Sequence, residues 1–264
     1  MLILNNGEYN GKIVQSAQID HATVSNTLYA SQSERPEWHY HENLHICFVF
    51  DEGRAETRHQ TTYSEKEGGL FFYHSEEQHR WASPGPISKS ANIEIAAAFL
   101  KKYQLDENDI KEAIKTNAGA KALIIKMQKE LHSPDQNNYL NLQTLLLELV
   151  SYQQQKTYRN KPRWAILLKQ LLHDHWNEIL SLQEISITVG AHPVTISKHF
   201  RKFFGCTLGE YQRTLKIEKS IGFIKNTPLA LSQIAFSCGF TDQSHFIRNF
   251  KQHTGFLPKD FRKF

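Results

Sequence analysis

Cysteine is scarce in this chain of 264 residues. Cys47, Cys206 and Cys238 are odd in number and far apart, and none stands in a Cys-x-x-Cys pair. A disulfide framework is thereby excluded, which suits a reducing cytoplasm. Cys238, at a core position of a helical pattern, reads as a small buried hydrophobe. No apolar run approaches the roughly eighteen residues that cross a bilayer, so no membrane partner is expected. The opening Met1-Leu2-Ile3-Leu4-Asn5-Asn6-Gly7-Glu8 has no basic region and no cleavage site, so no export signal is expected and the location reads as cytoplasmic. A hydrophobic content of 40% with 22% charged residues excludes a disordered chain, and the length suffices for two domains.

The net charge of +4 hides an asymmetry. Residues 160–264 carry 15 Lys and Arg against 7 Asp and Glu, a balance of +8, and the remainder is −4. A basic C-terminal part fits a polyanionic partner. Charge alone does not separate DNA from RNA or a membrane surface. The helical pattern of that part does.

From Ser181 to Phe264 one pattern occurs twice. Leu182, Ile185, Val189 and Gly190 match Leu231, Ile234, Cys238 and Gly239 at constant offset. After one inserted residue, Ile196, Phe200, Gly205 and Tyr211 match Phe246, Phe250, Gly255 and Phe261. Apolar residues at i, i+3 and i+7 make one helix face, and a glycine just past it ends the helix. Pro193 suits the first turn of the next helix, and Thr241 or Asp242 can cap its counterpart. Each copy thus predicts a helix-turn-helix unit whose second helix buries one face and offers a polar, basic face to a major groove. Leu208 to Asn226 predicts one long connecting helix, stopped by Thr227-Pro228.

At these residues the chain resembles the AraC family of bacterial transcription regulators. The stretch Ile234 to Lys251, closed by Gly255-Phe256-Leu257-Pro258, follows that family's signature. The resemblance implies double-stranded DNA as partner, with two reading helices in successive major grooves about 34 Å apart. By motif position, Val194, Thr195, Ser197 and Lys198 read bases in the first unit, and Gln243, Ser244, His245 and Arg248 in the second. Arg201, Lys202, Lys216 and Lys251 are expected to hold phosphates, which set register rather than sequence. Val194 is a small apolar residue where a larger or polar one is usual; it suits a thymine methyl.

Residues 1–98 predict short strands: Ala17 to Asp20, Thr27 to Ala30, His45 to Phe50 and Gly69 to Tyr73. Turn signals at Asp51-Glu52-Gly53 and Pro84-Gly85-Pro86 separate them, as in a β-sandwich or barrel. Trp38, Tyr40, Phe48, Phe50, Phe72 and Trp81 are its expected core. Alternate strand residues share a face, so His39 and His41 can turn two imidazoles to one ion, and His45 and His79 can complete a nitrogen-rich site for a divalent metal. Together with Gly53 and Gly69 this set is similar to the cupin pattern, with one departure: His45 stands where cupins place a Glu. Pocket residues of a metal-free barrel, hydrogen-bonding an organic ligand, are the other reading of the same four histidines. His21, His59 and His74 have no spacing partner and read as surface residues.

From about Ile93 to Tyr158 the period turns helical, with a short helix at Asp109 to Ile114, a longer one at Ala118 to His132 and a third at Leu140 to Gln155. The fold expected is therefore α+β: a cupin-like sensor barrel over 1–98, helices over 99–158, and an all-α tandem helix-turn-helix domain over 159–264 entered by a helix from Arg163 to Trp176. A polar linker, Gln153 to Pro162, precedes that domain. The leucine stripe of the middle helices fits a homodimer contact and barrel packing equally. The function expected is a sequence-specific transcription regulator, not an enzyme, responsive to an unknown small effector or metal. The resemblance implies activation through RNA polymerase more often than repression. The rival is a metal-dependent cupin enzyme tethered to a DNA-binding domain, supported only by the four histidines.

Overall fold

Two five-stranded sheets build the N-terminal part. The computed structural model describes residues 1–30, 37–50, 54–58, 61–65, 68–82, 87–133, 138–151, 161–178 and 180–264. The strands are β1 (Leu2–Leu4), β2 (Lys12–Ile19), β3 (Ala22–Ala30), β4 (His39–His41), β5 (Leu44–Val49), β6 (Arg54–Arg58), β7 (Thr61–Glu65), β8 (Leu70–Tyr73), β9 (His79–Ala82) and β10 (Ile87–Ile95). One sheet has the order β1-β4-β9-β6-β7 and the other β2-β3-β10-β5-β8. The four expected strands are present as β2, β3, β5 and β8. The expected helical start near Ile93 is corrected: β10 continues to Ile95, and the first helix begins at Ala97. Both expected turn signals, the residue His59 and most of the expected linker lie outside the described residues.

The second sheet separates its polar and apolar residues by face. In register across β3, β10 and β5, Val24, Ile93 and Ile46 form one buried apolar row, and Thr23, Glu94 and His45 form the next, polar row. Successive residues of a strand point to opposite faces, so the two rows face opposite ways. The apolar face is covered by helices α1 (Ala97–Tyr103), α2 (Glu107–Thr116), α3 (Ala120–Leu131) and α4 (Asn138–Val150). The polar face meets the first sheet, where Tyr29 of β3 packs edge-on against Trp81 of β9 at 4.7 Å. Phe48 and Phe50, expected inside a barrel, belong to the helix-covered cluster instead.

The β2–β3 hairpin turns on Asp20 and His21, both at positive φ, as a two-residue hairpin of this hand requires. The Asp20 carboxylate accepts hydrogen bonds from Lys102 and Tyr103 of α1, which ties the turn to the helical layer. Those bonds hold its carboxyl below the usual range. His74 is not a bare surface residue. Its Nδ1 is 2.7 Å from Glu107 at the start of α2, which links β8 to the helices.

The C-terminal part is α5 (Arg163–Asp174), α6 (Leu182–Val189), α7 (Pro193–Phe204), α8 (Leu208–Asn226), α9 (Leu231–Ser237), α10 (Gln243–Thr254) and α11 (Pro258–Lys263). Its boundaries follow from local chemistry. Ser181 with Glu184, and Thr207 with Glu210, form reciprocal capping boxes at the starts of α6 and α8. Pro193 opens α7, and Asp242 caps α10 by accepting from the His245 N–H at 2.7 Å. Gly190, Gly205 and Gly255 end α6, α7 and α10 in the left-handed region.

The two repeats bury their cores differently. The first unit packs with α5 in a cluster of its own that includes Leu168, Ile185, Ile196, Phe200 and Tyr211. The second unit's Ile234, Phe246, Phe250 and Phe261 belong to the same continuous cluster as the sheet face and α3. The leucines of α4, with Leu142, Leu146 and Leu149 fully buried, are part of that cluster too.

Candidate functional site

The reading helices come first. In α7 the buried Ile196 and Phe200 turn the helix so that Val194, Ser197 and Lys198 are exposed and Thr195 is half-buried. Val194, 63% exposed, is an apolar side chain held outward in the first turn. In α10, Phe246 and Phe250 do the same, leaving Gln243, Ser244 and Arg248 exposed. His245 is half-buried, with its ring against Phe240 at 5.6 Å. All eight expected base-reading residues therefore lie on or beside the outward faces of the two second helices. Arg201, Lys202 and Lys251 are exposed as a phosphate contact requires.

Lys216 is a correction. It is buried, and its ammonium donates to the Gly239 carbonyl at 2.8 Å, across the end of α9. Burial holds its pKa below the ordinary lysine value. A cation beside the carbonyls that close a helix stabilises that end. Lys216 therefore joins α8 to the second unit and does not reach a phosphate.

The second feature lies between the sheets. His39, His41 and His79 each offer one ring nitrogen, and the three nitrogens lie within 4.8 Å of one another. Their orientation has visible causes. His39 Nδ1 is 3.1 Å from the Glu37 carbonyl oxygen and His79 Nδ1 is 2.8 Å from that of Glu77. A carbonyl only accepts, so each Nδ1 carries the proton and the lone pair stays on Nε2. His41 Nδ1 is 3.5 Å from Glu94 Oε1. Carbonyl or carboxylate partners of this kind orient metal-binding histidines in general. Burial, with His39 close by, pushes the His79 pKa down to about 2, so its ring is neutral.

His45 stands apart from this triad. Asn92 donates through Nδ2 to Thr27 Oγ1 at 2.6 Å, so its Oδ1 accepts from His45 Nε2 at 3.0 Å. His45 Nδ1 is buried with no hydrogen-bond partner, and its ring lies 4.0 Å from that of His41. Burial and the neighbouring imidazoles lower its pKa.

Sequence reasoning missed Glu94. It is fully buried, accepts from the Gly7 N–H at 3.1 Å, and places its other oxygen beside His41 with no hydrogen-bond partner. Tyr9 lies next to both; burial, then Glu94, raises its pKa. The signal was present in β10, where Ser88, Ser90, Asn92 and Glu94 alternate with Ala91, Ile93 and Ile95. The space enclosed by the histidines, Tyr73 and Trp81 is about 10 Å³, room for a single ion or water.

Comparison with known proteins agrees with the helical part. A family model described as a helix-turn-helix domain matches residues 165–263. The transcriptional activator RhaS of Escherichia fergusonii is 20% identical over 222 residues, 83% of this chain and 76% of that protein. The probable transcription factor PqrA of Proteus vulgaris is 31% identical over 87 residues, 33% of this chain and 71% of that protein. A solved regulator from Chromobacterium violaceum, described as AraC-type, is 22% identical with a TM-score of 0.36, over 38% of this chain and 89% of its own. The chain belongs to the AraC family of DNA-binding transcription regulators.

Proposed function

We propose that this regulator senses a divalent metal ion, held by His39, His41 and His79 in a cupin-like barrel made of the two sheets. One observation carries the reading. Three buried imidazoles converge, two of them fixed by backbone carbonyls in the tautomer that leaves Nε2 to bind, around a space of about 10 Å³. That volume is far below the few hundred Å³ of an organic-ligand pocket. A nitrogen-rich set of this kind suits Zn, Ni, Cu or Fe. Glu94 brings the carboxylate that the spacing around His45 lacks, 3.5 Å from His41 Nδ1, where a small shift would let it orient that ring. The residues present thus fit a metal.

Strand β10 offers the route from sensor to DNA-binding half. Glu94 and Asn92 stand at the histidines. At the other end of the strand, Lys89 donates to the Phe264 carbonyl and lies 3.5 Å from its ring centre. Phe264 packs in turn on Phe50 and Phe261. A change at the histidines can so alter how the second reading unit is seated. By analogy with the activators among its relatives, the chain acts as an activator through RNA polymerase, with dimers gaining affinity from two linked sites.

Elemental mass spectrometry on protein purified without chelator tests the sensor. Near-stoichiometric metal is expected, and His41→Ala should lose it while stripping metal from the parent changes its DNA affinity. A parent that stays metal-free after incubation with Zn, Ni, Cu and Fe would discard the reading.

For the DNA face, the exposed Arg248 is placed to donate to guanine O6 and N7. Arg248→Ala should cost about 1–3 kcal/mol and relax base preference at one position of the site. Binding to a randomised operator library reads this out, and uniform weakening across all sequences would make Arg248 a phosphate contact.

A further inference from the structure

A cleft of about 320 Å³ opens where α3 and α4 of the sensor half meet α8 and α10 of the DNA-binding half. Its volume lies at the lower end of the roughly 300–1,000 Å³ range of small-molecule sites. We infer that this cleft is a second effector site, separate from the histidine cluster, that takes a small organic anion bearing a carboxylate or phosphate. Lys126 of α3, Arg213 of α8 and His253 of α10 would hold the anionic group between the two halves.

Three observations support that chemistry. Lys126 and Arg213 both line the cleft, and among the described residues neither makes an ion pair. His253 Nε2 is buried at the same cleft without a hydrogen-bond partner. A buried polar atom left unpaired is costly, and a ligand oxygen accepting from it would remove that cost. The acids nearby do not fill the role. The Glu210 carboxylate accepts from the Thr207 N–H at 2.7 Å and so is engaged at the start of α8. Glu148 is exposed and suits a hydroxyl or ammonium elsewhere on the same ligand.

Asn249, the residue after the expected base-reading Arg248, and Gln252, one turn beyond it, also line the cleft. A bound anion would therefore tie the far half of the second reading helix to α3. Binding energy there would be coupled to the placement of α10, and DNA affinity would respond to the ligand.

The test uses citrate and inorganic phosphate as probes, titrated into the full chain at constant ionic strength. Melting temperature and the His253 ring proton resonances are followed. Expected are a saturable rise in melting temperature with at least one probe, a shift of the His253 resonances, and binding at least tenfold weaker in K126Q/R213Q. A response to citrate alone assigns a carboxylate ligand, and a response to phosphate alone a phosphorylated one. No saturable response to either probe, or an undiminished response in the double variant, overturns the inference. Metal content measured on the same samples keeps the two sites apart: the double variant should retain the parent's content, and a parent without metal that still binds a probe leaves this cleft standing.

Discussion

Gly239→Ala will unfold the second helix-turn-helix unit, whereas Gly190→Ala will leave the first unit folded. The two glycines hold the same place in the repeat, and both have positive φ, +71° and +66°. The conformational cost to alanine is therefore similar, about 1–2 kcal/mol. Their surroundings differ. A Cβ on Gly190 would meet nothing within 4 Å. A Cβ on Gly239 would fall 2.0 Å from the Asn177 carbonyl oxygen and 2.9 Å from both the Asn177 carbon and the Lys216 ammonium. Backbone cannot swing aside as a side-chain tip can, so the turn or the segment before α6 must move. The Lys216 bond to the Gly239 carbonyl would go with it. A loss of roughly 4 kcal/mol or more is expected at Gly239, in the range reserved for steric conflict in a packed core. Urea titrations of both variants measure this. Equal losses at the two positions would mean that the close approach of Asn177 does not matter.

The metal-free protein will lose stability on mild acidification, between pH 6.5 and 5. Burial, with Lys126 close by, lowers the His253 pKa to about 4; burial, with His39 close by, lowers that of His79 to about 2. Both rings stay neutral in the fold at pH 5, while in the unfolded chain they take up protons below about 6.5. The unfolded state then binds more protons, so stability rises with pH across this window and is lost as pH falls. At pH 5 each of these two groups has contributed roughly 2 kcal/mol of that loss. His45 is shifted in the same direction and adds to it. Carboxylates with lowered pKa values, such as Asp20 and Asp242, act only nearer their own range below pH 5. Denaturation midpoints at pH 7.5, 6 and 5 check the effect. A flat profile over that window would show that these rings are not held neutral.

The DNA-binding half was legible in the sequence because its signals are local. Helix faces, the capping boxes and the left-handed glycines repeat within a few residues, and α8 ends at the two residues expected of it. The sheets were less legible. β5 is buried on both faces, so Leu44 to Val49 shows no alternation, while β6 and β7 read as polar loops because their residues are mostly hydrophilic. Glu94 is not legible because the motif leads one to expect a carboxylate just after His41, and it arrives on a strand some fifty residues later. The role of Lys216 is not legible because its partner, the Gly239 carbonyl, belongs to the next repeat. In each case the missing information was a contact distant in sequence.

The division of the core has a consequence for exchanging parts between regulators. The repeats look equivalent, but among the described residues the buried core of the first lies within the DNA-binding half, with Ala118 of the sensor half touching its edge. The second shares its buried phenylalanines with α3 and with the sheet face, and Lys129 of α3 lies over the glycine that ends α10. A DNA-binding half grafted at the linker onto another sensor would arrive with that apolar flank uncovered, and a large exposed apolar patch invites association with whatever is near. The transferable piece is therefore larger than the tandem repeat: it must bring α3, or a surface shaped like it, along with the second reading helix.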